Sequence, residues 1–185
     1  MGILQESLDR AAEHTFTRPV PKSAVAQMRF LVRSEKGSTL AVARRLGVTR
    51  RTVERYVKGQ IRHPRPELAA RLLAETRKSW QPRVRRRARE AAATTGGIVI
   101  ETRARFGFTA APGSTDDSRL RLITQHLPPG YAARLFDAQA GGATERQLRD
   151  IAAEALQEQY FKDHGRRAPG LRVEFTDIDY VELEY

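Results

Sequence analysis

The stretch Ser38–Lys58, STLAVARRLGVTRRTVERYVK, has the spacing of two short helices joined by a tight turn. Ala43 is small enough to let two helices touch. Gly47, four residues later, supplies the positive φ that the turn needs and that glycine adopts at least cost. Leu40, Val42, Leu46, Val48, Val53 and Tyr56 form the apolar inner face, and Thr49 is placed to cap the second helix. Arg50, Arg51, Glu54, Arg55 and Lys58 are left on the outer surface of that helix, with Thr52 among the residues expected to meet DNA. A major groove takes such a face, with arginines for guanine edges and cations for phosphates. The alternative is a helical hairpin with an ordinary solvated basic face.

Working outward, Gly2–Phe16 reads as an amphipathic helix with Leu4, Leu8, Ala11 and Ala12 on one side. TRPVPK (Thr17–Lys22) is a connector, because its two prolines cannot sit inside a helix. Ser23 caps a helix through Val32 that buries Val25, Met28, Leu31 and Val32. After Gly59 the segment IRHPRP is extended, and Glu67–Glu90 predicts a long helix with Pro82 as the candidate break. Its second half sets Arg83, Arg85, Arg86, Arg87 and Arg89 around nearly the whole circumference, which excludes a core helix and favours contact with a phosphate backbone.

A change of composition at Ala91–Gly97 marks the expected boundary between two domains. Beyond it, Ile98–Phe106 and Arg119–His126 predict strands, the second with Leu120 and Leu122 on one face. Pro129–Ala140 and Ala143–His164 predict helices, the latter capped by Thr144, and Gly170–Glu184 predicts a closing strand with an irregularity. The expected fold class is α+β. An all-helical N-terminal half (1–90) holds the helix-turn-helix (38–58) and a basic helix, and a β-β-α-α-β domain (91–185) carries the loop 107–118.

Charge separates the same two halves. Residues 1–90 carry 22 Lys and Arg against 8 Asp and Glu, whereas residues 91–185 carry 11 against 14. One half is built for a polyanion and the other is not, and nucleic acid is the expected polyanion. The absence of cysteine excludes disulfides and thiolate metal sites, and the four histidines are far apart in sequence. No long apolar run or signal-peptide pattern occurs, so a cytoplasmic protein with no membrane partner is the expectation.

The loop GFTAAPGSTDDS (107–118) is the one segment that invites chemistry. Pro112 and Gly113 predict a sharp turn that sets Ser114 and Thr115 at a hairpin tip. An exposed hydroxyl beside Asp116 and Asp117 suits an acceptor for a phosphoryl or nucleotidyl group, which must enter another enzyme's active site. Most such loops are turns only, and the two aspartates serve equally well as turn caps.

The phrases FTRPVPKSAVAQMRFLV, GVTRRTVERYVK, PRPELAARL, ATTGGIVIETRARFGFTAAPGSTDD and VEFTDID resemble the telomere terminal proteins (Tpg type) of Streptomyces linear chromosomes and plasmids. The likeness runs from near Leu4 to the C-terminus. It implies a protein bound to telomeric DNA in the bacterial nucleoid and joined covalently to the DNA 5′ end. It implies a threonine hydroxyl used as primer by a DNA polymerase, with that role falling on Thr115 and Ser114 as the neighbouring alternative. A telomere-associated protein is the further partner implied. On this reading the chain is a substrate, not an enzyme. It binds no cofactor of its own, and the deoxynucleotide and Mg²⁺ come through the polymerase.

Two other readings compete. A helix-turn-helix transcription regulator with an α+β dimerisation or ligand-binding domain fits the same charge and architecture. A DNA-cleaving enzyme would need a tyrosine nucleophile from Tyr56, Tyr131, Tyr160, Tyr180 or Tyr185 and an Arg/His constellation around it.

Overall fold

The computed structural model describes residues 2–109, 119–164, 166 and 170–185. Among them are eight α-helices and three strands, in the expected α+β class. The helices are α1 (Ile3–His14), α2 (Ala24–Ser34), α3 (Thr39–Leu46), α4 (Arg50–Val57), α5 (Pro66–Ser79), α6 (Pro82–Ala91), α7 (Pro129–Ala140) and α8 (Glu145–Leu156). The strands are β1 (Ile98–Thr109), β2 (Arg119–Leu127) and β3 (Arg172–Glu184), and π-helical turns span Ala92–Gly96 and Gln157–Phe161.

The chain forms two compact units, and their boundary differs from the expected one. Thr17–Pro82 is one unit; Met1–Phe16 and Arg83–Tyr185 make the other. The amphipathic stripe of α1 explains the correction. Leu4, Leu8 and Ala11 are buried in one core with Ile98, Ile100, Phe106, Leu127, Leu148 and Leu183, not with the helices that follow α1 in sequence. The α1 backbone is held there as well, since Leu4 N–H donates to Glu145 Oε1 at 3.0 Å. The four-helix stretch Thr17–Pro82 is thus inserted in sequence between α1 and α6.

The Thr17–Pro82 unit is four helices, α2 to α5, around Met28, Leu31, Val42, Leu46, Val53, Tyr56 and Leu72. Ser23 caps α2 by accepting from Ala26 N–H at 3.2 Å. Pro66 opens α5 where its missing N–H costs nothing. The predicted long helix is two helices, because it stops at Ser79 and restarts at Pro82.

In the other unit the sheet is antiparallel with order β2-β1-β3. β1 pairs with β2 from Ile98↔Leu127 to Phe106↔Arg119, and with β3 from Val99↔Glu184 to Thr109↔Arg172. The irregularity expected in β3 is present as two register shifts, opposite Arg103/Ala104 and Arg105/Phe106. They turn Phe175, Ile178 and Val181 toward one core despite their uneven spacing. Thr144 and Gln147 cap α8 reciprocally.

One expectation about this sheet needs correction. β1 runs on to Thr109, so strand replaces the first residues of the predicted loop. Leu120 and Leu122 share a face as expected, and it is the open one, where they are 41 % and 66 % exposed. Ile123 and Leu127 face the core instead. Period-two alternation defines two faces without saying which is covered.

Candidate nucleic-acid interface

The turn between α3 and α4 is built by local chemistry. Ser38 caps α3 by accepting from Ala41 N–H at 3.1 Å. Gly47 closes α3 in the left-handed region, φ +63°, and Val48 N–H returns to Ala43 C=O at 3.0 Å. Thr49 starts α4 by accepting from Thr52 N–H at 3.2 Å, and their hydroxyls lie 2.9 Å apart. Ala43 is 3 % exposed where the helices meet. Leu40 departs from its expected place on the inner face: it is 46 % exposed at the start of α3.

α4 buries Val53 and Tyr56, which turns the opposite face to solvent. Arg50, Arg51, Arg55 and Lys58 are exposed and Thr52 is half-buried. Arg50 Nε donates to Glu54 Oε1 at 2.8 Å along one helical turn. An exposed pair of this kind contributes about 0.3–0.5 kcal/mol, little enough to give up for a phosphate or base edge. The five DNA-facing residues predicted on α4 therefore lie on or beside one accessible surface.

Two arginines that sequence reasoning did not single out brace α3 and α4 against the helices around them. Arg45 pairs with Glu35 at 3.0 Å, and its guanidinium also donates to the Glu75 carboxylate and to Ser79 Oγ, the latter at 2.6 Å. It ties α3 to the end of α2 and to α5. Arg29 Nε donates to Val57 C=O at 2.9 Å, satisfying a carbonyl at the C-terminus of α4. Neither had a local signal: the partners lie 10, 30, 34 and 28 residues away.

Charge also follows the units. Thr17–Pro82 carries 16 Lys and Arg against 4 Asp and Glu, and all other residues carry 17 against 18. The excess of +11 therefore belongs wholly to the helix-turn-helix unit. The arginines of α6 belong to the other one. Arg83, Arg86 and Arg87 are exposed, as expected of phosphate ligands. Arg85 corrects that expectation: it is half-buried, with its guanidinium 5.6 Å from the centroid of the Phe16 ring. Arg89 lies 5.1 Å from the Phe136 centroid and donates to Gln139. Both serve packing through cation–π contacts. A basic helix with no buried residue still has an inward side.

Pro112, Gly113, Ser114, Thr115, Asp116 and Asp117 lie outside the described residues, as does most of the loop 107–118. Among the described residues no group of His, Cys, Asp and Glu is placed to hold a metal ion. Of the five tyrosines, Tyr56 is 3 % exposed in the helical core. Burial holds the Tyr56, Tyr131 and Tyr185 hydroxyls above their ordinary pKa, and the bond from Tyr180 to Glu101, at 2.9 Å, raises that one. A nucleophile needs the opposite shift.

The turn, the caps and the cationic outer face define a DNA-binding module of the helix-turn-helix class. Residues 32–81 match the helix-turn-helix family, a span that takes in the end of α2 and all of α3, α4 and α5. No curated protein and no solved structure matches the chain. Among the described residues no helix is long and apolar enough to cross a membrane.

Proposed function

We propose that this protein binds the ends of linear bacterial replicons and serves as the primer for DNA synthesis there. The observation that carries the reading is the division of the chain. DNA binding and the whole net charge sit on Thr17–Pro82, and the remaining unit is free for a second task. The phrase ATTGGIVIETRARFGFTAAPGSTDD, shared in likeness with the telomere terminal proteins, spans β1 and the segment that joins it to β2. The reacting hydroxyl on this reading is that of Thr115, with Ser114 beside it.

In the proposed step the Thr115 oxygen attacks the α-phosphorus of a deoxynucleoside triphosphate. The new O–P bond forms as the bond to the β-phosphate oxygen breaks. Pyrophosphate leaves, and the hydroxyl proton passes to a base of the polymerase or to water. A threonine hydroxyl is a weak nucleophile at neutral pH, so the polymerase's Mg²⁺ ions supply the activation. Asp116 and Asp117 orient the hydroxyl or join that metal site. A telomere-associated protein recruits the chain to the DNA end.

The test is a reaction of the full chain with template, DNA polymerase and one labelled deoxynucleotide, followed by mapping of the modified residue by mass spectrometry. Label on Thr115 that is lost in Thr115→Ala, with DNA affinity unchanged, is the expected result. Label that persists in Thr115→Ala moves the acceptor to Ser114 or elsewhere. A protein that takes no label and prefers an internal palindromic duplex is a transcription regulator.

A further inference from the structure

The segment that follows α4 carries charge that the reading helix itself does not use. From Arg55 to Pro66 the chain reads RYVKGQIRHPRP, with four Lys or Arg and no Asp or Glu. Residues 61–65 lie outside helix and strand, and Arg62, His63 and Arg65 are exposed. The backbone there is held as an arm at both ends. Gly59 turns the chain at φ +75°, and Gln60 N–H donates to Arg55 C=O at 2.9 Å. Ile61 then packs on the core that holds Met28, Val53 and Tyr56. At the far end Arg65 is extended, φ −62° and ψ 151°, and Pro66 opens α5. Pro64 disfavours helical backbone at His63, as Pro66 does at Arg65. Among the described residues the side chains of Arg62, His63 and Arg65 have no hydrogen bond or ion pair. The arm is therefore fixed while its basic side chains stand unused.

The arm is continuous with the cationic face of α4, leaving it at Lys58, which is exposed like Arg55. Arg62 is four residues beyond Lys58 and Arg65 seven, spans of at most about 14 and 25 Å. With α4 in a major groove, the next minor groove is half a helical turn away, about 17 Å. That groove is only about 6 Å wide, too narrow for a helix but open to a single extended chain. Where A·T pairs narrow it further, its negative potential draws in arginine, whose guanidinium is more weakly hydrated than an ammonium. Both residues of permanent charge in the arm are arginines. Resting on the helix-turn-helix reading of α4, we propose that Arg62 and Arg65 enter the minor groove beside the site that α4 reads. They confer a preference for A·T pairs at that flank. Because the arm is already held in place, little backbone ordering is left to oppose binding.

The test captures duplexes of random sequence on the full chain and sequences the bound pool. Wild type is expected to enrich a core motif with a short run of A·T pairs beside it. Arg62→Ala/Arg65→Ala is expected to keep the core motif and lose the A·T run. Its affinity for the A·T-flanked core should fall about tenfold, with its melting temperature near wild type because both side chains are exposed. A second measurement needs no variant. Inosine lacks the guanine N2 amino group, so inosine·cytosine pairs show the minor-groove face of A·T and the major-groove face of G·C. A flank of inosine·cytosine is expected to bind wild type as the A·T flank does. Binding like the G·C flank overturns the proposal, and so does an A·T run that persists in the alanine variant. Equal losses for A·T- and G·C-flanked cores mark phosphate contact only and overturn it too. A core motif without an A·T run overturns the arm and leaves α4 as the reader. A wild-type chain that enriches no core motif overturns the reading of α4, and the arm with it.

Discussion

Arg45 on α3 stands 3.0 Å from Glu35 at the end of α2, and the same guanidinium bonds the Glu75 carboxylate and Ser79 of α5. One side chain thereby fixes the helix before the reading helix against two others. Arg45→Met removes charge-assisted bonds and leaves two part-buried carboxylates facing each other. It is expected to destabilise the Thr17–Pro82 unit by about 2–3 kcal/mol. Trp80 is the only tryptophan and lies in this unit, so urea unfolding followed by its fluorescence reports this unit directly. An unchanged midpoint would show that the network is held without Arg45.

Gly47 is the turn's conformational requirement. At φ +63° an L side chain is strained, and an added Cβ would meet the Arg71 guanidinium at 2.9 Å. Gly47→Ala should cost about 1–2 kcal/mol through the left-handed backbone, with Arg71 able to swing aside. Gly37, with φ +89° and open space around it, gives a matched control: Gly37→Ala should pay the backbone cost alone. A thermal-melting comparison of the two separates backbone strain from contact.

DNA affinity should divide the arginines by exposure. Arg51→Ala, on the open face of α4, should weaken binding by about 1–3 kcal/mol if the side chain reads a base edge. If it meets phosphate instead, the salt slope should fall by roughly 0.9. Arg85→Ala should leave both affinity and slope unchanged and lower stability, since its guanidinium covers the Phe16 ring. Titrations at several salt concentrations decide the matter. Equal effects from both substitutions would mean that burial does not sort these residues.

Glu154 and Arg134 join α8 to α7 by two bonds of 2.6 and 2.8 Å. The bonded guanidinium holds the Glu154 carboxyl below its ordinary pKa. A depressed carboxylate pKa gives stability that is full above the unfolded-state value and lost as pH falls through the folded one. Glu154→Gln should therefore destabilise at pH 7, by under about 1 kcal/mol because both side chains are half exposed. The difference from wild type should shrink as pH falls below the ordinary Glu value of about 4.3 and vanish once the folded carboxyl is protonated. Denaturant midpoints at neutral and at acid pH measure it, and a gap that survives at low pH would rule out the ion pair as its source.

The helix-turn-helix was legible because its signals are short-ranged. Ser23, Thr49 and Thr144 cap helices a few residues ahead, Gly47 ends one, and Val53 and Tyr56 repeat at helical spacing. The outward face of α4 followed from the inward one. What was misplaced depends on partners far away in the chain. Arg85 was grouped with its neighbours because nothing near it in sequence predicts an aromatic ring 69 positions earlier. Leu40 reads as core by residue type, yet the place it occupies at the start of α3 is exposed.

The sequence by itself determined the class of the DNA-binding element, its caps and turn, the cationic composition of the reading helix and the order of strands and helices behind it. All of these rest on periodicity and hydrogen bonds that reach about four residues. Only the tertiary structure decided that α1 belongs with the sheet, that the net charge is confined to Thr17–Pro82, and that Leu120 and Leu122 face outward. A segment's own pattern says that it has an apolar side. Which surface covers that side, or leaves it bare, is set by elements a hundred or more residues away.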